Sequence, residues 1–467
     1  MEIKKYIEDN KSEIIDSLAQ LISYKSVSVE TNNPEMPFGE ECKKALDYTL
    51  DLADKMGFRT KNIDGYCGYV EFGEGEELVG IVGHLDVVPA DINDGWTVDP
   101  FMVDIRDGKI FGRGSIDDKG PVIASLYAMK YIADNMKINK RVRLILGLNE
   151  EKGWKCINHY KEVEEIPTIG FSPDADFPAI YAEKGILSLE IENEFKLSDF
   201  EILDINTNGN ALNVVPKYVQ ITMKYIGAGE IPSFESNEEI KVTNLDNNTF
   251  EIEAFGKASH AAFPENGKNA ITIIFKYLLK YFKSEYIETL MNLGFFEIES
   301  PEFLSREDIA YATEFEDVSV IQDESGILTS NIADLKYEDG KLKISLNLRV
   351  PVKTELDKII LQYRKLKNIY EDLEVSVLSR QEPLYVDKDS FLVRKLVDVY
   401  NKATATKKEA IAIGGGTYAR AFPNFIAYGA TMPGEPDMCH QVDEFISLDN
   451  LFLACEIYSE AIYELAK

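Results

Sequence analysis

A few histidines and acidic side chains could do chemistry in this chain, because they stand at the ends of predicted strands and turns. His84 and Asp86 follow the apolar run 78–82, which has the length and composition of a buried strand. Five further candidates occupy similar positions: Asp117, Glu150, Glu151, Asp174 and His440. Oxygen and imidazole ligands without cysteine are typical of catalytic zinc, manganese or cobalt sites. The pattern indicates a metal centre, although each acid could instead be a solvated group or a helix cap, since the chain has 81 acidic residues.

The predicted elements would bring these side chains to one edge of a sheet. The apolar run before His84, the strand predicted over 141–148 and the short strand over 169–172 alternate with a helix predicted over 121–135. Open α/β sheets carry their chemistry at the carboxyl ends of the strands. Asp86 lies two residues beyond His84 and could accept the ring N–H that a metal-bound imidazole must place somewhere. His159, in a polar stretch, is interpreted as structural.

Composition narrows the class of protein. The 467 residues include 50 basic and 81 acidic side chains, a formal charge of −31, which argues against nucleic acid or an anionic membrane as a partner. Five cysteines without a CxxC spacing suggest neither a disulfide framework nor a thiolate zinc site. No run approaches the roughly 20 apolar residues of a membrane span. We therefore expect a cytoplasmic, soluble protein.

The chain is long enough for two domains, and its pattern changes twice. Compact, motif-rich segments give way at about Lys184 to longer alternating strands with single helices, and return after about Pro383. We predict an α/β domain formed by 1–183 and 383–467, with an α+β domain of two similar halves inserted at 184–382.

Seven motifs, in order, carry a resemblance to a known family: GHLDVVP, GWTVDPF, GRGSIDDKGP, LNEEKG, SPDADFP, GKASHA and GGGTYAR. Together they resemble the aminoacylase, carboxypeptidase G and dipeptidase family of two-metal (di-zinc) metallopeptidases, and within it the bacterial PepV-type dipeptidases. The resemblance covers nearly the whole chain. It implies a zinc-exopeptidase-like α/β/α catalytic domain with an inserted lid domain.

The resemblance also implies a role for each candidate at the metal centre. His84 and Asp174 would bind one divalent ion, Glu151 and His440 the other, and Asp117 would bridge both. Asp86 would orient a ligand from behind, and Glu150 would be the general base and acid. The ions are expected to be Zn²⁺, with Mn²⁺ or Co²⁺ as alternatives.

Further residues are implied in substrate recognition. His260 would stabilise the oxyanion, and Asn213, Arg349 and the backbone of Gly414, Gly415 and Gly416 would hold the C-terminal carboxylate of the peptide. Arginine suits that role because its paired donors match a carboxylate. Arg349 could instead be an ordinary strand-end arginine, and the glycine loop could serve backbone flexibility alone.

The activity implied is hydrolysis of unblocked dipeptides, and of some tripeptides, by a metal-bridged hydroxide with Glu150 as base. An N-acyl amino acid deacylase or desuccinylase of the same family is the alternative, and a non-catalytic peptide-binding relative is a third possibility. The length of the insertion predicts a monomer, because its second half can replace the partner subunit that dimeric relatives need.

Overall fold

The computed structural model describes residues 2–197, 199–282, 284, 287 and 321–467. Its contacts divide the chain into two compact units. Unit 1 comprises Met1–Ala182, Leu384–Ile411 and Thr417–Lys467, and unit 2 comprises Glu183–Pro383 and Ala412–Gly416. The sequence-based division placed residues 412–416 with the first domain, whereas the structure groups this short loop with unit 2.

The described helices and strands have the following bounds. The helices are α1 (Glu2–Ile22), α2 (Glu40–Lys55), α3 (Lys119–Asn135), α4 (Lys155–Val163), α5 (Ala270–Leu278), α6 (Leu356–Arg364), α7 (Phe391–Thr404) and α8 (Leu448–Ala466). The strands before residue 200 are β1 (Arg59–Ile63), β2 (Cys67–Phe72), β3 (Leu78–His84), β4 (Asp104–Arg106), β5 (Lys109–Phe111), β6 (Arg141–Gly147), β7 (Ile169–Ser172), β8 (Ile180–Glu183) and β9 (Gly185–Glu194). The later strands are β10 (Phe200–Asn206), β11 (Tyr218–Tyr225), β12 (Ile240–Asn244), β13 (Thr249–Phe255), β14 (Gln322–Asp323), β15 (Gly326–Ile327), β16 (Thr329–Glu338), β17 (Lys341–Val350), β18 (Glu374–Gln381), β19 (Leu384–Tyr385), β20 (Ile411–Ile413), β21 (Phe425–Ala427) and β22 (Phe445–Ser447).

Unit 1 is built on a sheet whose strands follow the order β1-β2-β6-β3-β7-β21-β8-β19. Strand β3 runs parallel to β6 and β7, and β21 runs parallel to β7. All seven residues of β3 are buried, as expected of a central parallel strand. Because the central strands are parallel, their carboxyl ends meet at one edge of the sheet, where His84 pairs in register with Gly147.

Helix α3 approaches this sheet closely near the same edge. A Cβ atom on Gly83 would lie 2.6 Å from Val122 Cγ2 and 2.5 Å from Asp118 Oδ2, so only glycine fits there. Thirteen residues of α3 are buried, and its low amphipathicity agrees with a helix enclosed on most sides. The close approach brings the start of α3, and the acids before it, to the end of β3.

Unit 2 contains two four-stranded antiparallel sheets, each with its own helix. The first has the order β10-β11-β13-β12, with α5 packed on β11 and β13. The second has the order β16-β17-β9-β18, with α6 packed on β18. One cluster of buried apolar side chains extends over both sheets. The predicted fold class, an α/β domain with an α+β domain of two halves, is confirmed.

The described residues include neither a membrane-spanning helix nor a disulfide-bonded cysteine. In the ranges given above, no helix is both long and apolar enough to cross a bilayer. All five cysteines of the chain lie within those ranges, and each is free.

Candidate active site

The predicted metal ligands of unit 1 come together at the carboxyl ends of three parallel strands. His84 is the last residue of β3, Glu150 and Glu151 follow β6, and Asp174 follows β7. Asp117 lies in the loop that precedes α3, and His440 lies in the loop before β22. Five separate segments of the chain therefore converge at this edge.

Asp117 lies between the two histidines of the cluster. Its Oδ1 is 3.0 Å from Nε2 of His84, and its Oδ2 is 3.1 Å from Nε2 of His440. Nε2 of His440 is also 3.2 Å from the Glu151 carboxylate. One carboxylate with an imidazole at each oxygen is the arrangement that a bridging ligand between two ions requires.

Two groups of side chains place their ligand atoms within 4.8 Å of one another. One group is His84, Asp117 and Glu151, and the other is His84, Glu150 and Asp174. Asp174 Oδ2 lies 3.8 Å from Nε2 of His84. The cluster thus has enough oxygen and nitrogen ligands for more than one cation.

The imidazole of His84 is held at its Nδ1 atom by a backbone carbonyl rather than by a carboxylate. Its Nδ1 lies 2.8 Å from the backbone oxygen of Asp86 and 3.6 Å from Oδ1 of that residue. The Asp86 carboxylate instead accepts hydrogen bonds from the backbone N–H groups of Glu150 and Glu151, at 3.0 and 3.2 Å. The expectation that the Asp86 side chain accepts the His84 ring N–H therefore differs from the observed contacts: Asp86 holds His84 by its backbone and the glutamates by its side chain.

The carboxyl of Glu150 has one hydrogen-bond donor that the sequence did not indicate. The indole N–H of Trp154 donates to Oε1 of Glu150 at 3.1 Å. Burial is the main cause that raises the pKa of Glu150 well above its ordinary value, and the charges of Asp174 and Glu151 add to it. A carboxyl with a raised pKa is suited to exchange a proton near neutral pH.

Neighbouring charges and burial also shift the pKa values of His440, Asp117 and Asp174 in this cluster. Hydrogen bonds to Asp117 and Glu151 raise the pKa of His440 to about 11. Burial alone would raise the pKa of Asp117, but the adjacent imidazoles of His440 and His84 lower it below its ordinary value. Burial raises the pKa of Asp174 to about 6. Such strongly perturbed groups in one cluster are typical of functional sites.

The donor set fits a pair of divalent cations. Nε2 of His84 is buried and has no hydrogen-bond partner among the described residues, yet it faces the carboxylates of Asp117 and Asp174. Carboxylate oxygens and imidazole nitrogens without thiolate suit zinc, manganese or cobalt. Cations would also offset the repulsion among Asp117, Asp174, Glu150 and Glu151.

The predicted substrate residues all lie in unit 2. Asn213 and His260 are both exposed. Their chain segments are adjacent, because the N–H of Ala261 donates to the Asn213 carbonyl at 2.8 Å. Arg349 is buried; its Nε donates to Asn347 Oδ1 at 3.0 Å and its Nη1 to the Gly414 carbonyl at 3.2 Å. Arg349 is therefore joined to the glycine loop, and a Cβ atom on Gly414 would lie 3.1 Å from Cβ of Ala262.

Three residues of the site in unit 1 were missed by the sequence reasoning. Trp154 bonds to Glu150, Asp118 Oδ2 accepts the backbone N–H of His84 at 3.1 Å, and Glu444 accepts the backbone N–H of Asp117 at 3.2 Å. Asp118 stands beside Asp117 in a quoted motif, so its position was a usable signal. Glu444 and Trp154 carry no such signal in a single sequence.

Comparison with known proteins identifies the family. The model of peptidase family M20/M25/M40 matches residues 80–464. The putative dipeptidase YtjP of Bacillus subtilis is 36% identical over 468 residues, covering 98% of both chains. A putative dipeptidase of Staphylococcus haemolyticus is 35% identical over 481 residues, covering 99% of both.

Solved structures share the fold at low identity. Human carnosine dipeptidase 1 aligns with a TM-score of 0.61 and 16% identity, covering 100% of this chain and 98% of that one. The dipeptidase Dug1p of Saccharomyces cerevisiae aligns with a TM-score of 0.58 and 13% identity, covering 99% and 98%. The YXEP protein of Bacillus subtilis, described as a dinuclear metal binding peptidase, aligns with a TM-score of 0.55 and 9% identity, covering 98% and 99%.

The family model and the curated relatives define the class of this chain as a hydrolase acting on peptide bonds. The chain belongs to peptidase family M20/M25/M40. The family expected from the motifs is therefore confirmed.

Proposed function

We propose that the chain is a metal-dependent dipeptidase that hydrolyses the peptide bond of unblocked dipeptides. The observation that carries this proposal is the placement of Asp117 between His84 and His440, with Glu150 beside the same cluster. Curated relatives that align over their full length are named putative dipeptidases, which supports the substrate class.

Two divalent ions are the proposed cofactors, most simply Zn²⁺, with Mn²⁺ and Co²⁺ as alternatives. We assign His84 and Asp174 to one ion, Glu151 and His440 to the other, and Asp117 to both. When bound, such a pair supplies Lewis-acid polarisation of the scissile carbonyl and a lowered pKa for water. This assignment is supported by the perturbed groups of the cluster and by the unpartnered Nε2 of His84.

The remaining steps belong to side chains of the protein. Glu150 holds a proton on its carboxylate between the attack of water and the departure of the amine, and its raised pKa suits both halves of that task. Asp86 fixes the backbone from which Glu150 projects, because its carboxylate accepts two N–H groups there. The two neighbouring glutamates can then have different roles.

For unit 2 we propose the role of a lid that recognises the substrate. Arg349 and the loop Gly414–Gly416 would bind the C-terminal carboxylate, with Asn213 beside them, and His260 would donate to the oxyanion. The buried guanidinium of Arg349, joined to Gly414, supports the first of these roles. We further propose that the chain acts in the cytoplasm and that it is a monomer. Sedimentation, and retention of activity on dilution, would test the monomeric state.

A panel of peptides with and without metal tests the proposed function. A free dipeptide, its N-acetyl form, its C-terminal amide and a longer peptide would each be assayed before chelation, after it, and with zinc, manganese or cobalt restored. We expect metal-dependent cleavage of the free dipeptide, with little or none of the acetylated and amidated forms. Cleavage of the acetylated form alone would show a deacylase, and cleavage of no substrate with metal restored would contradict the enzyme assignment.

A further inference from the structure

A buried ion pair of unit 1, between Glu444 and Arg113, lies beside the cluster of proposed metal ligands and is not used by the proposed mechanism. Glu444 has no exposed surface and Arg113 is 3% exposed. Nη1 of Arg113 donates to Oε2 of Glu444 at 2.6 Å. Burying both charges is costly unless their remaining hydrogen-bonding capacity is satisfied, so the other contacts of this pair are informative.

The second oxygen of Glu444 binds the backbone of the loop that carries Asp117. Oε1 accepts the N–H groups of Gly114, Ile116 and Asp117, at 3.0, 2.9 and 3.2 Å. Hydrogen bonds to an ionised acceptor are the stronger kind, and three at one oxygen leave the loop little freedom. The position of the Asp117 carboxylate between the two imidazoles therefore depends on Glu444.

Glu444 also belongs to the chain segment that carries His440, the proposed ligand on the opposite side of Asp117 from His84. It follows His440 by four residues, and its carbonyl accepts the N–H of Gly112 at 3.0 Å. His440 has a φ of +64°, a left-handed backbone conformation that a residue other than glycine keeps only when its surroundings hold it there. One buried residue thus joins the segment of His440 to the loop of Asp117.

Two residues of the GWTVDPF motif complete this network. The Trp96 ring lies 5.2 Å from the guanidinium of Arg113, within range of a cation–π interaction. The Asp443 carboxylate accepts the backbone N–H and the hydroxyl of Thr97 at 2.8 and 2.9 Å. The motif is therefore placed beside the ligand loops although it supplies no ligand.

We propose that Glu444 is a positioning residue that fixes Asp117 and His440 relative to each other and thereby sets the affinity of both metal positions, with Arg113 as its counter-charge. The inference depends on the proposed function in one respect, the assignment of Asp117 and His440 as metal ligands. It predicts a specific defect: loss of the Glu444 carboxylate weakens both positions together, because Asp117 serves both.

The same unit offers a matched control for a purely structural role. Glu71 and Arg143 also form a buried pair, with Nη2 and Oε2 2.6 Å apart and exposures of 6% and 4%. Arg143 lies on β6 four residues before Gly147, which is about 13 Å along the strand from the sheet edge. Breaking that pair removes the same kind of interaction from the same sheet but far from the ligands.

The experiment measures zinc binding without any peptide. Glu444→Gln, Glu71→Gln, Glu151→Gln and the wild type would be freed of metal and titrated with Zn²⁺ against a chelating dye, and the cobalt-loaded proteins would be compared by absorbance. We expect Glu444→Gln to bind both ions about 10- to 100-fold more weakly, the range typical of residues that orient ligands, and to show an altered cobalt spectrum. Glu151→Gln should weaken one position only. Glu71→Gln should bind zinc like the wild type and lose only thermal stability.

Several outcomes would overturn the inference. Wild-type zinc affinity and an unchanged cobalt spectrum in folded Glu444→Gln would do so, as would an equal loss of affinity in Glu71→Gln. If Glu444→Gln does not fold, Glu444→Asp keeps the charge on a shorter side chain that cannot reach all three N–H groups, and wild-type affinity there is equally contrary. A wild-type chain that binds two zinc ions but cleaves no dipeptide would end the proposed function and leave this inference standing, whereas one that binds no zinc would overturn both.

Discussion

The hydrogen bond from Trp154 to Glu150 leads to a prediction about the pH dependence of the reaction. The indole N–H lies 3.1 Å from Oε1 of Glu150, and the Trp154 ring packs edge-on against Tyr418, with centroids 5.3 Å apart. Trp154→Phe removes the donor and keeps an aromatic ring in that packing. Because the donor stabilises the ionised carboxylate, its loss raises the pKa of Glu150 further above its ordinary value.

The size of this effect follows from the geometry. A hydrogen bond to a charged group contributes about 1.5–3 kcal/mol, and about 1.4 kcal/mol corresponds to one pKa unit. The Glu150 side chain is partly exposed, so the lower end of that range applies, and we expect the pKa of this carboxyl to rise further above its ordinary value. Glu150 must be deprotonated to accept a proton from water. The acid limb of kcat/KM should therefore move about 1 unit to higher pH, while the plateau at high pH stays within a few-fold of the wild type.

The assay is a pH profile of dipeptide hydrolysis at saturating metal, for the wild type, Trp154→Phe and a matched control. Tyr418→Phe is suitable, because it removes a hydroxyl of the same aromatic cluster that contacts Cys156 Sγ rather than Glu150. The acid limb of the control should coincide with that of the wild type. An acid limb of Trp154→Phe that does not move, or one that moves to lower pH, would refute the reasoning about this hydrogen bond.

Three further predictions concern the ligands and the substrate residues. Glu150→Gln should lower kcat by about 10²- to 10⁴-fold while zinc stoichiometry, measured by metal analysis, stays unchanged; a variant that retains a tenth of the activity would contradict the general-base role. Arg349→Lys should lower kcat/KM for a free dipeptide about 10- to 100-fold, through loss of paired donors to the carboxylate, and affect the C-terminal amide much less; equal effects on both substrates would contradict carboxylate binding. Chelation should lower the melting temperature by several degrees, because ions present at 100 times their Kd stabilise the fold by about 2.7 kcal/mol; a melting curve unchanged by EDTA and by added zinc would count against metal bound at the acidic cluster.

Much of unit 1 could be predicted from the sequence, because its central strands are short apolar runs that end in polar residues. The apolar run 78–82 lies in β3, which continues two residues further to His84, and the strand predicted over 169–172 coincides with β7. Helix α3 begins at Lys119, two residues before the predicted start at Pro121. Parallel strands then bring their carboxyl ends together without further information, so the convergence of these imidazole and carboxylate side chains could be anticipated from the order of the strands.

The pairing of strands in unit 2 could not be predicted in the same way. Strand β9 comes before every strand of the first sheet of unit 2 along the chain, yet it pairs with β17 over ten residues and with β18, so it belongs to the second sheet. Alternation of polar and apolar residues shows which face of a strand is buried but not which strand lies beside it. Helix α4 was missed because 155–163 is polar and short, with three buried residues.

Two of the missed site residues, Asp118 and Glu444, share one function with Asp86, which explains why composition hid them. Three buried carboxylates each accept backbone N–H groups from a segment that carries a proposed ligand: Asp118 binds His84, Asp86 binds Glu150 and Glu151, and Glu444 binds the loop of Asp117. A carboxylate suits this task because it accepts several charge-assisted hydrogen bonds at once, so one side chain can fix a whole loop. In a chain with 81 acidic residues, such a carboxylate has the same residue type as a ligand and as a solvated surface group. Only its contacts distinguish it: a ligand carboxylate faces imidazole nitrogens and other carboxylates, whereas a positioning carboxylate faces backbone N–H groups.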